Sequence, residues 1–129
     1  MSGRLLRWIP ALAWAAAVFW VSAQPQLVEL PWVLSWDKLQ HCAAYAVGGA
    51  AIAYALGGGR SPWLAVALGV LYGASDEFHQ WFVPGRNPDV RDWVADALGA
   101  VAGVFLYRSF LSWRARRTNA GARAQAARP

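Results

Sequence analysis

Long apolar runs separated by short polar breaks organise this chain. Trp8 to Val28 and Leu39 to Gly59 contain no Asp, Glu, Lys or Arg. Pro62 to Gln80 is apolar until Asp76 and Glu77, and the stretch from about Val90 to Trp113 carries Asp92 and Asp96 near its start and Arg108 near its end. A helix needs about 20 mainly apolar residues to cross a bilayer. The pattern therefore predicts an all-α, polytopic membrane protein, a four-transmembrane-helix bundle with helices over about 5–23, 38–57, 62–81 and 90–112. The breaks agree with it. Ser22-Ala23-Gln24-Pro25 ends the first segment, and a loop containing Pro25 and Pro31 leads along the interface to Asp37. Gly57-Gly58-Gly59-Arg60-Ser61-Pro62 is a tight turn, with Ser61 as N-cap and Pro62 at the first helical position. Pro84-Gly85-Arg86-Asn87-Pro88 breaks the chain again, and Asn87-Pro88 repeats the cap-plus-proline signal. Residues 1–113 form one membrane domain, and 114–129, rich in Arg, Ala and Gly without apolar periodicity, form a basic tail expected to be disordered or surface-bound.

Charge gives this frame an orientation. Basic residues are retained on the cytoplasmic side, and Arg4, Arg7, Arg60, Arg108, Arg114, Arg116, Arg117, Arg123 and Arg128 all fall at one set of segment ends. Lys38, Arg86 and Arg91 remain for the other, where every acidic residue also falls: Glu29, Asp37, Asp76, Glu77, Asp89, Asp92 and Asp96. Both termini are thus expected to be cytoplasmic and the acidic ends extracytoplasmic. Trp8, Trp63 and Trp113 suit the inner interface and Trp20, Trp32, Trp36, Trp81 and Trp93 the outer one, leaving Trp14 near mid-membrane. The net charge of +5 lies in juxtamembrane positions and the tail, so anionic lipid explains it better than nucleic acid. A rival reading makes the first segment a cleaved signal peptide, with Val21-Ser22-Ala23 as cleavage site, but its apolar stretch is longer than such regions usually are. The single cysteine, Cys42, precludes an internal disulfide.

Helical spacing gathers the polar groups into stripes. Asp37, His41, Tyr45, Gly48 and Ile52 share one face; Ala65, Gly69, Gly73, Glu77 and Gln80 share another; Asp92, Asp96, Gly99 and Gly103 share a third. Each is small where it is deep and polar at its outer end, so the three are expected to face one another, with the Gly99-x-x-x-Gly103 pair packing within the chain. Glu77 lies about 22 Å along its helix from Pro62, roughly a turn below the outer surface, where a carboxylate needs a partner. Simpler roles compete. Asp37 with Gln40 has capping-box spacing, Asp89 can cap the fourth helix, and Glu77, Asp92 and Asp96 can form an interhelical network. Tyr72, Asp76 and His79 fall on a different face of the third helix and are expected to be peripheral.

Asp37-Lys38-x-x-His41-x-x-x-Tyr45, Glu77-x-x-Gln80-x-Phe82-x-Pro84-Gly85-Arg86 and Asp89-x-x-Asp92 leading to Gly99 resemble the VanZ-like family of small bacterial membrane proteins, as does Ser22-Ala23-Gln24-Pro25. The resemblance covers roughly residues 15 to 107. It implies a bacterial plasma-membrane protein, and the family's namesake is associated with resistance to the glycopeptide teicoplanin. It supplies no reaction. Asp96 stands where that family usually has Asn, which puts in doubt any role needing an amide donor there.

Three functions fit the polar ends. An outward-facing site could bind an envelope lipid headgroup, a lipid-linked sugar or a lipoglycopeptide. Lys38, Arg86 and Arg91 would take its phosphate or carboxylate, Asp37, Glu77, Asp92 and the neighbouring Tyr45, Gln80, Asp89 and Asp96 its polar groups, and Trp32, Trp36, Trp81 and Trp93 its rings or headgroup. Asp37 and His41, one turn apart, can also make a carboxylate-oriented imidazole, and with Glu77 they have the parts for acid–base hydrolysis or transfer on a lipid-linked phosphoester or sugar. A metal on those three is only weakly suggested by one His and loosely spaced carboxylates, and no cofactor is assigned. Proton-coupled transport fits a carboxylate beside a histidine, yet the polar groups lie at one end with no mid-helix break.

Overall fold

The computed structural model describes residues 2–25, 34–58 and 60–126. Glu29, Pro31, Trp32 and the expected interfacial loop lie outside the described residues, as does the side chain of Trp36. Among the described residues all regular structure is helical: α1 (Ser2–Leu6), α2 (Ile9–Ser22), α3 (Leu34–Ala55), α4 (Pro62–Gln80) and α5 (Val90–Ala126). A turn at Arg7 and Trp8, just before Pro10, separates α1 from α2. Proline has no N–H to give the ladder, so the break falls where a donor is missing.

Helix starts differ from the sequence reading in instructive ways. α3 begins at Leu34, so Asp37 is an acid within its first turn and not the first member of a capping box with Gln40. A carboxylate there still complements the positive helix end. At α4, Ser61 holds the N-cap position without a side-chain capping bond, and Pro62 opens the helix as expected. α5 begins at Val90, two residues after Pro88. Its cap is Asp89, whose Oδ1 accepts the Arg91 N–H at 2.8 Å. The helix then continues without interruption to Ala126, through the segment where disorder or surface binding was expected. Ala, Arg and Gln are strong helix formers and do not need an apolar face to extend a helix already nucleated.

α3 packs most extensively on α5, and they touch backbone to backbone. A Cβ on Gly99 would strike the Cys42 carbonyl, one on Gly103 the Ala46 carbonyl, and one on Gly49 the Ala100 carbonyl. Residue numbers rise together across the Cys42–Gly99 and Ala46–Gly103 contacts, so α3 and α5 run parallel. α4 crosses them in the opposite sense, with Gly69 against Ala100 and Gly73 against Asp96 and Trp93. Trp14 holds α2 to α3: its indole N–H donates to the Ala44 carbonyl at 2.8 Å, and its ring fills the space beside Gly48. The residue left unassigned at mid-depth is thus a packing anchor.

The interior is made of small residues. Ala53, Ala65 and Ala100 are fully buried, together with Val104, while Leu12, Val47, Leu64, Leu71, Phe78, Leu98 and Leu106 are exposed. Large apolar groups outside and alanine inside are the reverse of a water-soluble core and suit a hydrocarbon surround. Among the described residues, Gly3–Ser22 and Val90–Arg123 are long and apolar enough to cross a membrane. α3 and α4, at 22 and 19 residues, reach about 33 and 28 Å, close to a hydrocarbon thickness of about 30 Å.

Gly103→Val should cost about 3 kcal/mol, the upper end for overpacking, because its Cβ meets backbone that cannot rotate away. Gly121→Ala, where a Cβ meets nothing within 4 Å, should leave the thermal midpoint in detergent unchanged or slightly raised. Equal midpoints for Gly103→Val and wild type would refute the close approach.

Candidate functional site at the polar end

The parallel course of α3 and α5, with α2 and α4 opposed to them, brings two N-termini and two C-termini to one end of the bundle. Asp37 and Asp92 lie in the first turns of α3 and α5, where acids are favoured by the positive helix ends. At the opposite polarity, Arg86 caps the end of α2: its Nη2 donates to the Val21 carbonyl at 3.1 Å and its Nε to the Gln24 carbonyl at 3.2 Å. A guanidinium on terminal carbonyls is the complementary arrangement.

Lys38 is the hub of the outer layer. Its Nζ pairs with Asp92 Oδ1, lies 3.3 Å from Asp89 Oδ2 and 3.8 Å from Asp37 Oδ2. Asp89, in the turn outside the helices, is held below the usual carboxylate range, first by the Arg91 N–H and then by Lys38. Glu77 joins this layer from α4, with Oε2 accepting the Asp89 N–H at 2.9 Å. The expected interhelical network therefore exists, and it ties three helices.

One layer deeper, His41 Nδ1 lies 2.9 Å from Oδ1 of the fully buried Asp96, whereas His41 Nε2 is 3.9 Å from Asp37. The carboxylate that orients the imidazole is Asp96, not the Asp37 that shares its helix. Among the described residues, Glu77 Oε1, Asp96 Oδ2 and the hydroxyl of Tyr45 are buried without a hydrogen-bond partner. Two sets of three among the described residues can offer metal-ligand atoms within 4.8 Å of one another: Asp37, His41 and Asp92, and His41, Glu77 and Asp96.

Asp76 corrects the sequence reading. It was expected to be peripheral, yet it is only 4% exposed, and its Oδ2 accepts from Ser22 Oγ at 2.7 Å and Gln80 Nε2 at 3.3 Å. Asp76 and Glu77 are neighbours on a helix whose inner face is wide enough to bury both lines, one toward α2 and one toward α5. Gln80 consequently belongs to the Asp76 group. The other expected peripheral residues also pack inward: Tyr72 donates to the Ala15 carbonyl at 2.5 Å, and His79 stacks on Phe19 at 4.6 Å. Trp93, offered as a ring for ligand stacking, instead donates its indole N–H to the Val70 carbonyl at 3.1 Å. The signal for Asp76 was available in its spacing: Gly69, Gly73, Asp76 and Gln80 recur at helical intervals as well as the Glu77 line does.

A cavity of about 430 Å³ opens between α2 and α3 over α4. Asp37, Gln40, His41, Asp76, Gln80 and Arg86 supply its polar part, and Trp14, Ala17, Val18, Val21, Ala44 and Val47 its apolar wall. Ala17, Val21, Gln40 and Val47 are exposed, so the space is open on the side of the bundle. Tyr45 lines it too. Asp37, His41, Tyr45, Gln80 and Arg86 thus meet at the cavity, whereas Lys38, Glu77, Asp89, Asp92 and Asp96 form the network behind it.

A family model described as VanZ/LLP1 matches residues 4–112, a span that contains this entire constellation and stops before the basic tail. No curated protein and no solved structure matches.

Asp92 is 7% exposed and depends on Lys38 for its countercharge. Lys38→Met should cost on the order of 2 kcal/mol, between the values for surface and buried pairs, and Lys38→Met combined with Asp92→Asn should recover much of it. A double-mutant cycle on thermal unfolding in detergent checks this; additive losses would show that the pair is not coupled.

Proposed function

The chain belongs to the VanZ/LLP1 family, and we propose that it is a four-span bundle of the bacterial plasma membrane whose outer end binds the polar head of an envelope lipid, a lipid-linked sugar or a lipoglycopeptide. The observation that carries this reading is the two-part lining of the side-opening cavity. A volume of about 430 Å³ lies within the range of small-molecule sites. Its polar part lies where α2 ends and α3 begins, and its apolar wall runs deeper along the same two helices, so a headgroup and the first part of an attached chain find matching surroundings. Asp37, Gln40 and Gln80 can accept or donate to hydroxyls, and Arg86 and His41 provide positive or donor groups for phosphate or carboxylate. Glycopeptide protection would follow from occupancy of such a lipid or lipoglycopeptide site, without chemistry.

A membrane-embedded hydrolase or transferase is a second reading, favoured by one observation: the His41 imidazole is held at Nδ1 by a buried carboxylate and borders the cavity. That is the arrangement of an oriented general base. Here the reacting phosphoester or sugar linkage would sit beside His41, with Asp37 in reach and Glu77 bracing the layer behind.

The topology accompanying this proposal has both termini in the cytoplasm, from the excess of arginine at that end. Alkaline phosphatase fused after Pro88 should be active, and a fluorescent protein fused after Trp113 should fluoresce; the reverse pattern would invert the site into the cytoplasm.

Ala17→Trp puts bulk into the apolar wall of the cavity and leaves every polar lining residue in place. Native mass spectrometry of gently extracted full-length protein should find one lipid class retained by wild type and reduced about tenfold in Ala17→Trp. The same unselective lipid on both proteins would refute the binding reading.

A further inference from the structure

We propose that His41, Glu77 and Asp96 bind one divalent metal ion, zinc or manganese, behind the cavity wall. Each residue comes from a different helix, α3, α4 and α5 respectively, and their candidate ligand atoms lie within 4.8 Å of one another. The decisive feature is what their oxygens lack. Asp96 is fully buried, and among the described residues its Oδ2 has no hydrogen-bond partner; Glu77 Oε1 is likewise buried and unpartnered among them. Two carboxyl groups from facing helices, each with a desolvated oxygen that has no donor among the described residues, are costly as anions unless a cation or a proton compensates them.

The groups around them do not supply that cation. Lys38, on α3, is directed to Asp92, Asp89 and Asp37. Arg86 is bound to the Val21 and Gln24 carbonyls of the α2 end. Asp76, on α4, takes Ser22 and Gln80. His41 reaches only Oδ1 of Asp96. The alternative set, Asp37, His41 and Asp92, is less suited because the Lys38 ammonium already pairs with Asp92. A metal there would be repelled by it.

One imidazole and two carboxylates are borderline to hard ligands, which suit zinc or manganese better than the all-oxygen preference of calcium or magnesium. His41 Nδ1 and Asp96 Oδ1, 2.9 Å apart, are placed as two ligands on one ion with bonds of about 2.0–2.1 Å. The ion then takes the place of the proton on that hydrogen bond, Asp96 reaches it through both of its oxygens, and Glu77 closes the third side. Because His41 also lines the cavity, the ion borders the space in which a ligand would sit. The inference is independent of the lipid reading.

The full chain, purified in detergent without chelator, should carry about one equivalent of zinc or manganese by elemental mass spectrometry. After chelation, titration with zinc chloride or manganese chloride should raise the thermal midpoint, the stronger response identifying the metal. Asp96→Asn and His41→Gln should each weaken binding about tenfold or more, whereas Asp37→Asn and the cavity-filling Ala17→Trp should bind as wild type does. Should either first variant fail to fold, cobalt substituted into wild type gives a direct readout, since His41 and carboxylate ligation produces visible absorption that free cobalt in the same buffer lacks. Wild type that neither retains nor rebinds zinc or manganese would overturn the proposal. So would binding that survives Asp96→Asn unchanged, or that is lost in Asp37→Asn, which would transfer the metal to the outer set.

Discussion

The Lys38 and His41 contacts at the site end descend from the close approach of α3 and α5. Cys42 and Ala46 can lie against Gly99 and Gly103 only because those positions have no side chain, and the resulting parallel register sets Lys38 beside Asp92 and His41 beside Asp96. In a hydrocarbon surround this contact cannot rely on excluding water from apolar surface, because lipid solvates a leucine as well as another leucine does. Close van der Waals packing along a smooth backbone groove and satisfied polar groups have to hold the helices instead. The same glycines therefore serve adhesion and site assembly, and a change in one is felt in the other.

Helix polarity explains why the charges are distributed as they are. Acids near the starts of α3 and α5 are stabilised by the helix ends, and Arg86 answers the carbonyls that end α2. Acids near the end of α4 receive no such help. Asp76 and Glu77 instead draw donors from elsewhere: Ser22 and Gln80 for the first, the backbone of Asp89 for the second. Such reach across helices ties the turn between α4 and α5 to the body of the bundle. Glu77 is thereby structural through one oxygen, and it also offers a carboxylate oxygen within 4.8 Å of ligand atoms of His41 and Asp96.

Two layers emerge with different characters. The outer one, centred on Lys38, sets one ammonium against Asp37, Asp89 and Asp92 and is partly open to solvent, as the 25% exposure of the Lys38 side chain shows. The deeper one contains a histidine and two carboxylates with oxygens left over. The cavity passes beside both, entered from the side of the bundle between α2 and α3, and meets the deeper layer at His41. A ligand arriving from the membrane would thus encounter apolar wall and polar head in the order in which a lipid presents them.

The helices and their polar ends were legible in the sequence because apolar run length and charge placement are local properties. α4 begins at Pro62 as its proline signal predicts, and the Asp37–His41–Tyr45 and Asp92–Asp96–Gly99–Gly103 lines fall on inward faces. Local pattern does not decide which of two adjacent inward lines is buried against which neighbour. Asp76 was therefore misjudged, the Trp93 indole N–H proved to be held by the Val70 carbonyl, and the carboxylate orienting His41 was sought one turn away on the same helix. Asp96 takes that role because parallel packing brings α5 closer to the imidazole than the Asp37 side chain comes from within α3, at 2.9 Å against 3.9 Å. The sequence by itself determined that this is an all-helical protein with chemistry gathered at one end; the partner of each polar atom, and which atoms were left without one, were decided by how four helix ends meet in space.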